Sequence, residues 1–483
     1  MAIPDSYETV IGLEVHAQLL TSSKLFSGDS TVFGGKPNTQ VSAVSLAHPG
    51  TLPRLNRKAV ALAVRLGLAC ECEISEENYF ARKNYFYPDL PKGYQLSQHT
   101  TPICKGGTII IQIAGSEKKI RLNRIHMEED AGKSMHVEGE DRTLVDLNRS
   151  GVPLVEIVTE PDLRSGEEAL LFLQEIRKIV RYLGICDGNM EEGSLRCDAN
   201  VSVRKKGETR LGIKVEIKNL NSIRHVKKAI DAEALYMIEQ LELGGVIRQQ
   251  TKSFDAAREK SFPIRDKEDA DDYRYFADPD LPPFVVGQAF VQSVKDSLPF
   301  LHRERIQRYT AELGLTHYDA QVLTEEKDFS DYFEKVARLT THYKAAANWM
   351  LGPVRSWMNE HAAGMETFPI LPESIAELIR LIDEKKLNFS IASTKLFSSL
   401  LRDPAIDIET FAASSGFLQN SNAGDIEAMV ETVINKFPEK VNEYRKGKKG
   451  LMSMFVGEVM KMSKGLADPQ QTNALLNEKL NAK

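Results

Sequence analysis

The chain is predicted to be α+β, with a mixed α/β region built on an antiparallel sheet over residues 1–294, an all-helical region over 295–405 and a small helical tail over 406–483. Three observations predict this. Apolar and polar residues alternate with period two in several segments of the first region, as in half-buried strands. After about Lys295 strand patterns nearly vanish and helical periodicity replaces them. A basic stretch with helical patterning closes the chain. At 483 residues the sequence also exceeds what one hydrophobic core usually organises.

Hydrophobic residues at 42% and charged residues at 27% describe a globular protein rather than a disordered or fibrous one. A net charge of −6 argues against a generally basic nucleic-acid binder and leaves room for a local basic patch. No apolar run approaches membrane-spanning length, and Met1-Ala-Ile-Pro-Asp-Ser6 lacks a signal-peptide core. A cytoplasmic protein with no membrane partner is expected. Five irregularly spaced cysteines suit reduced thiols; Cys70, Cys72 and Cys104 could offer three zinc ligands, but no pattern supplies a fourth.

Thr9 to Leu19 is the first expected strand, with Ile11, Leu13, Val15 and Ala17 on one face. Glu14 and His16 share the other, close enough to reach one ion, or simply a solvated face. The Gly-, Pro- and Ser-rich stretch from Lys24 to Pro53 reads as loops, and Asn56 to Leu68 as a helix. In Arg82 to Tyr94 aromatics interleave with cations, which suits stacking on a nucleotide or a packed loop equally.

Strands are expected at Thr108–Ile113 and Lys119–Met127, the second running into Glu128, Glu129 and Asp130. Three consecutive acids call for a positive partner. Gly132-Lys133-Ser134 imitates the end of a phosphate-binding P-loop, but Met127 stands where its first glycine should be, which excludes that motif. A further strand ends near Thr159, and Ser165-Gly-Glu-Glu168 reads as a capping box opening a helix that Gly184 closes.

Leu195 to Arg204 and Ile213 to Lys218 both alternate, with Lys205 to Thr209 as the turn of a hairpin. Centred near Gly207, that hairpin sets Asp198 directly opposite Glu216 on its polar face. Facing like charges destabilise a ladder, so a hard cation such as Mg²⁺ is the natural occupant between them. The alternative is two carboxylates splayed into solvent beside Lys214 and Lys218. Ser222 to Leu243 is the next helix, and Arg265 to Phe276 brings arginines and more acids.

Helices are expected at 301–313, 320–325, 330–339, 343–351 and 372–384. In the tail, Arg445, Lys446, Lys448 and Lys449 form a basic loop before a helix whose inner side carries Leu451, Phe455, Val459 and Met462. A basic loop on a small domain of an acidic chain points to RNA phosphate.

Glu14, His16, Glu128, Glu129, Asp198 and Glu216 all fall at strand positions or strand ends. One imidazole and five carboxylates suit one or two Mg²⁺ or Mn²⁺ ions better than zinc. Such ions bridge nucleotide phosphates, and Lys133, Lys214, Lys218, Arg265 and Arg274 are candidate phosphate clamps. No Ser-His-Asp or Cys-His arrangement suggests a covalent nucleophile.

Ile11-Gly-Leu-Glu-Val-His16, Lys83-Asn-Tyr-Phe-Tyr-Pro-Asp-Leu-Pro-Lys92, His126-Met-Glu-Glu-Asp-Ala-Gly-Lys133, Asn148 to Thr159, Glu191 to Ser202, Val215-Glu-Ile-Lys-Asn-Leu-Asn221 and Val456-Gly-Glu-Val-Met-Lys461 closely resemble the B subunit of the glutamyl/aspartyl-tRNA amidotransferase. The resemblance spans the chain. It implies a cradle-like sheet domain, a helical domain and a tail that grips the tRNA. It also implies a heterotrimer with an amidase (A) subunit and a small C subunit, acting on misacylated Glu-tRNA(Gln) or Asp-tRNA(Asn). ATP phosphorylates the side-chain carboxylate in this family, and ammonia from the A subunit displaces the phosphate. The family's metal-binding acids match the same six residues, with Glu14, His16, Glu128, Asp198 and Glu216 expected to be catalytic. Ala17 and Ala277 depart from the usual valine and proline, and neither touches the acidic set. The rival readings are a non-catalytic tRNA-binding scaffold with a structural metal site, and a free-standing ATP-dependent ligase.

Overall fold

The alternation in Tyr7–Gln18 becomes β1, which lies inside a large sheet with Ile11, Leu13, Val15 and Ala17 buried on one face. The computed structural model describes residues 3–136, 139, 141–266, 273–418, 423–463 and 465–481. Among these the main sheet has 13 strands. Those used below are β2 (Ala81–Asn84), β3 (Tyr94–Ser97), β4 (Ser116–Glu129), β5 (Pro153–Thr159), β6 (Leu195–Lys205), β7 (Val215–Leu220), β8 (Gln250–Asp255), β9 (Lys260–Asp266) and β10 (Phe276–Ala277). The order is β9-β8-β7-β6-β1-β5-β4-β3-β2-β10, antiparallel throughout except for β7 and β8. The strand Thr108–Ile113 pairs with the first half of β4 off this path.

Three helices take up the apolar face. α1 (Arg57–Ala69) packs on β4 and β5, α2 (Gly166–Tyr182) packs on Thr108–Ile113, and α3 (Ile223–Glu242) packs on β6. Asn56 caps α1 through Lys58 N and Ala59 N, and Ser165 caps α2 through Glu168 N. The capping box at Ser165 is only half formed, because the Glu168 carboxylate accepts from Arg164 N and from Lys118 Nζ. Lys252 of β8 donates to Glu233 of α3 at 2.7 Å, a buried ion pair tying the sheet's far end to that helix.

The hairpin expectation needs correcting. β7 starts only at Val215, so the connection is longer than Lys205 to Thr209, and Ile213 is half exposed outside the strand. Glu216 pairs with Asn200 rather than Asp198, and a bulge lies between Cys197 and Ala199.

The chain divides into two compact units between Leu301 and His302. The second unit is helical and carries two hydrophobic cores, one drawn from Tyr309 to Ala412 and one from Ile426 to Leu480. The expected helices form at His302–Ala311, His317–Leu323, Lys327–Leu339, Tyr343–Trp349 and Pro372–Asp383. In the tail, Met452–Met462 buries Phe455 and Val459, while Met462 is exposed, contrary to expectation.

Candidate functional site

The polar face of β1 and its neighbours lines a cavity of about 1210 Å³. Antiparallel register assembles the site in rows. His126 of β4, Glu156 of β5, His16 of β1 and Arg196 of β6 lie side by side across four strands. The next row carries Arg124, Val158, Glu14 and Asp198. Because side chains on one face recur every second residue, these rows sit one pleat apart.

In the first row, His16 Nε2 is 3.4 Å from Glu156 and 3.7 Å from Glu128, and His126 Nε2 is 3.2 Å and 3.7 Å from the same two carboxylates. Burial alone would lower both imidazoles, but the Glu156 and Glu128 carboxylates outweigh it, and His126 rises to about 9. Burial alone would raise Glu156, and the two imidazoles hold it well below the usual carboxylate range. His126 Nδ1 is buried without a hydrogen-bond partner. One ligand atom each from His16, Glu128 and Glu156 fall within 4.8 Å of one another.

Glu14, Asp198 and Glu216 form a second group within the same 4.8 Å span. Asn200 Nδ2 donates to Glu14 at 2.9 Å, and Thr251 Oγ1 donates to Glu216 at 2.9 Å. Burial, then Glu156 and the other two acids, raises Glu14. Lys218 reaches Asp198 at 2.8 Å and Glu216 at 3.4 Å, taking the place beside Asp198 that the hairpin reading gave to Glu216. Burial alone would depress Lys218, and the two carboxylates hold it well above its ordinary value instead. Three carboxylates around one ammonium still carry an excess of negative charge. With the neighbouring His16, Glu128 and Glu156, this oxygen-rich donor set fits hard divalent cations.

Glu129 does not belong to this site. Adjacent strand residues point to opposite faces, so Glu128 and Glu129 cannot both face the cavity. Glu129 is buried on the other side, paired with Lys92 and accepting from Leu96 N at 2.9 Å. It lines a separate polar cavity of about 330 Å³ with Lys24 and Lys92. Burial lowers the Lys24 ammonium there to about 8.

Of the expected phosphate clamps, Lys133, Lys214 and Lys218 line the main cavity. Arg265 and Arg274 are not among its lining residues. Arg265 pairs with Thr251 on edge strand β9, and its side chain, like residues 267–272, lies outside the described residues. Arg274 holds a positive φ of 46° and offers its carbonyl to Asn84, while Tyr273 and Tyr275 on either side face the cavity. The reading from sequence also missed Glu156, His126, Arg124 and Arg196. Arg196 donates to the buried Asp130 at 2.8 Å and keeps a buried Nε without a partner beside the acids.

Cys70, Cys72 and Cys104 are buried free thiols. Cys72 Sγ donates to Gly106 O at 3.0 Å and Cys104 Sγ to Ala63 O at 3.7 Å, and burial pushes the Cys72 thiol up to about 12. In the tail, Arg445 Nε donates to Leu480 O at 3.1 Å, Lys448 meets Glu443 at 3.1 Å and Lys449 lies 4.1 Å from the Tyr444 ring. The basic turn is thus partly used in packing, and Lys446 stands exposed.

Residues 9–292 match the family model described as the GatB/GatE catalytic domain, and residues 331–480 match the GatB domain. The chain is 49% identical over 474 residues to the aspartyl/glutamyl-tRNA(Asn/Gln) amidotransferase B subunit of Chlorobium chlorochromatii, covering 98% of this chain and 99% of that protein. It is 48% identical to the protein of that name from Geotalea uraniireducens, covering 98% and 99%. Identity to its counterpart in Syntrophotalea carbinolica is 45%, covering 98% of each.

Proposed function

The chain belongs to the family of aspartyl/glutamyl-tRNA(Asn/Gln) amidotransferase B subunits, and from that premise we propose that its acidic cavity activates the substrate carboxylate with ATP and Mg²⁺. The enzyme amidates misacylated Glu-tRNA(Gln) or Asp-tRNA(Asn). A carboxylate is a poor acceptor for ammonia. Its oxygen therefore attacks the γ-phosphorus of ATP and ADP leaves, giving an acyl phosphate. Ammonia then attacks the acyl carbon, phosphate departs, and the nitrogen sheds a proton.

The observation that carries this reading is two three-ligand groups on one face of one sheet, in one cavity that also holds guanidinium groups with unsatisfied donors. Glu14, Asp198 and Glu216 would hold one Mg²⁺, and His16, Glu128 and Glu156 a second. Bound there, such ions offset phosphate charge and orient the triphosphate for in-line attack. Asp198 and Glu216 fix the Lys218 ammonium beside them, and Asp130 holds Arg196 so that its free Nε faces the acids; both cations are placed to take phosphate oxygens. The A subunit supplies ammonia and the C subunit completes the heterotrimer. No helix among the described residues is long and apolar enough to cross a membrane, and the cytoplasm is the proposed compartment.

The test is ATP cleavage by the reconstituted three-subunit complex. Cleavage is expected only with misacylated tRNA and Mg²⁺ present, and EDTA should abolish it. A complex that amidates without consuming ATP would overturn the activation step. A chain that binds tRNA within a complex unable to cleave ATP would favour the scaffold reading.

The tail's basic turn, Arg445 to Lys449, is proposed to meet the tRNA backbone. Removing residues 410–483 should weaken tRNA binding by about tenfold or more at ~0.1 M salt and flatten its salt dependence. An unchanged affinity in a filter-binding titration would remove the tail from the interface.

A further inference from the structure

Among the described residues, the connection from Gln18 at the end of β1 to Arg57 at the start of α1 holds no helix and, apart from one bridge between Ser23 and Ser30, no strand pairing. A connection this long without secondary structure is uncommon in a compact domain and usually serves the site beside it. Here it forms wall for both cavities. Residues 31–35 and 40 line the large one, and residues 44, 45, 47 and 48 line the small one.

Ordering such a segment costs conformational freedom, so it must be fastened. The first fastening is a single carboxylate. Asp29 Oδ2 accepts from Ser42 N at 2.9 Å, from Ser42 Oγ at 2.9 Å, from Ser27 Oγ at 3.0 Å and from Ser45 Oγ. Hydrogen bonds to an ionised acceptor are the stronger kind. Burial alone would raise Asp29, and the Ser45, Ser42 and Ser27 hydroxyls hold it below the usual carboxylate range. The second fastening lies further along. Asn38, at φ 58°, donates from N to Asp146 Oδ1 at 3.1 Å and from Nδ2 to Val145 O at 2.9 Å, and it accepts from Leu147 N at 2.8 Å. Asn148 accepts from Gln40 N at 2.9 Å and donates to Lys36 O at 2.7 Å. Between the two fastenings, residues 31–35 form part of the rim of the large cavity, with Val32 and Phe33 left 68% and 70% exposed in a wall otherwise rich in charge.

We propose that Asp29 is a positioning residue for amidation: by gathering Ser27, Ser42 and Ser45 it sets residues 31–35 as a rim that keeps water from the reacting acyl carbon. Asp29 itself lines neither cavity, so its effect passes through the segment it holds. The role rests on the acyl phosphate proposed above. Water that reaches the acyl carbon in ammonia's place bonds to it through oxygen, the carbon–oxygen bond to phosphate breaks, and the water's two protons leave, one with the phosphate and one to solvent. The carboxylate returns, ATP has been consumed and no amide forms. A substrate that covers Val32 and Phe33 closes that route only if the rim is fixed where the substrate meets it.

The test counts ATP cleaved per amide formed by the assembled three-subunit complex with Mg²⁺, glutamine and misacylated tRNA. Wild type should cleave about one ATP per amide, and Asp29→Ala should raise that ratio by about threefold or more. Ser42→Ala/Ser45→Ala removes two of the hydroxyls but keeps the Asp29 charge that Lys24 feels, and it should uncouple similarly. Leu173→Ala, which opens a cavity in the core of the same unit, should melt lower yet keep the wild-type ratio. Hydrogen exchange reads the fastening without turnover, and amides of residues 31–35 should exchange about tenfold faster in both the Asp29 and the serine variants. A wild-type ratio or unchanged exchange in either variant would overturn the proposal. Equal uncoupling in Leu173→Ala would do the same, by reducing Asp29 to a part of general stability. A complex that amidates without cleaving ATP overturns the reaction proposed above and this role together, whereas ATP-dependent amidation with an unchanged ratio in Asp29→Ala overturns this role alone.

Discussion

Replacing Asp198 with alanine is expected to reduce misacylated-tRNA-dependent ATP cleavage by the assembled complex by about 10²–10³-fold, the range seen when one fixed charge-stabilising group is lost. Asp198 sits between Glu14, its cross-strand partner on β1, and Lys218, which it holds at 2.8 Å. Its loss would remove a proposed metal ligand and one of the two carboxylates that hold the ammonium. The fold should tolerate the change. The loss relieves repulsion on Glu14 and Glu216 but also breaks the Lys218 pair, with Glu216 left to hold the ammonium, so the melting temperature should change little while activity collapses. Asp198→Asn separates charge from shape, and it should fail almost as badly as the alanine variant if charge is what matters. Wild-type cleavage rates in either variant would make the cluster structural and send the search for the phosphorylating site elsewhere.

Glu156→Gln should strike the other group. Glu156 lies between His16 and His126 in its row and contacts both. A glutamine of the same shape keeps the row's outline but would remove a proposed carboxylate ligand, so the Mg²⁺ concentration for half-maximal activity should rise by about 10²-fold, at or beyond the effect of losing an outer-sphere partner. Melting offers a readout independent of turnover. An ion that binds only the native state stabilises it in proportion to RT ln(1 + [L]/Kd), so wild type should gain melting temperature on Mg²⁺ titration and Glu156→Gln should gain less. Identical titration curves would show that this row holds no ion.

Much of this site was legible one strand at a time. The alternation of Thr9 to Leu19 placed Glu14 and His16 on the polar face, and the apolar partners of Asp198 and Glu216 placed those acids similarly. Which strands lie side by side was not legible. Glu156 reads as one acid in the apolar run Pro153–Thr159, and only pairing with β1 and β4 puts it between two histidines. The register of β6 and β7 depended on where β7 begins, and a start at Val215 moved Glu216 opposite Asn200. Glu129 is a different failure. The expected strand stopped at Met127, whereas β4 runs on to Glu129, and period two then forbids Glu129 from sharing a face with Glu128. The tail's basic turn was visible as composition, but its use of Arg445 and Lys449 in local packing depends on contacts with Leu480 and Tyr444.

The central position of β1 has a consequence for how the protein is made. Its partners are β5 and β6, which begin at Pro153 and Leu195. At roughly 5–20 residues per second, the ribosome needs on the order of ten seconds or more after finishing β1 before either neighbour exists. Through that interval Ile11, Leu13 and Val15 belong to a nascent strand with no mate, the kind of segment that seeks other chains. His16, Glu128 and Glu156 are all present once β5 is made, but the group of Glu14, Asp198 and Glu216 is complete only after β7 has emerged, so a ribosome-bound fragment ending before Val215 would lack Glu216 altogether. Slowing synthesis should therefore lengthen this chain's dependence on holding chaperones, and pulse-labelled nascent chains should acquire protease resistance abruptly after β7 rather than strand by strand.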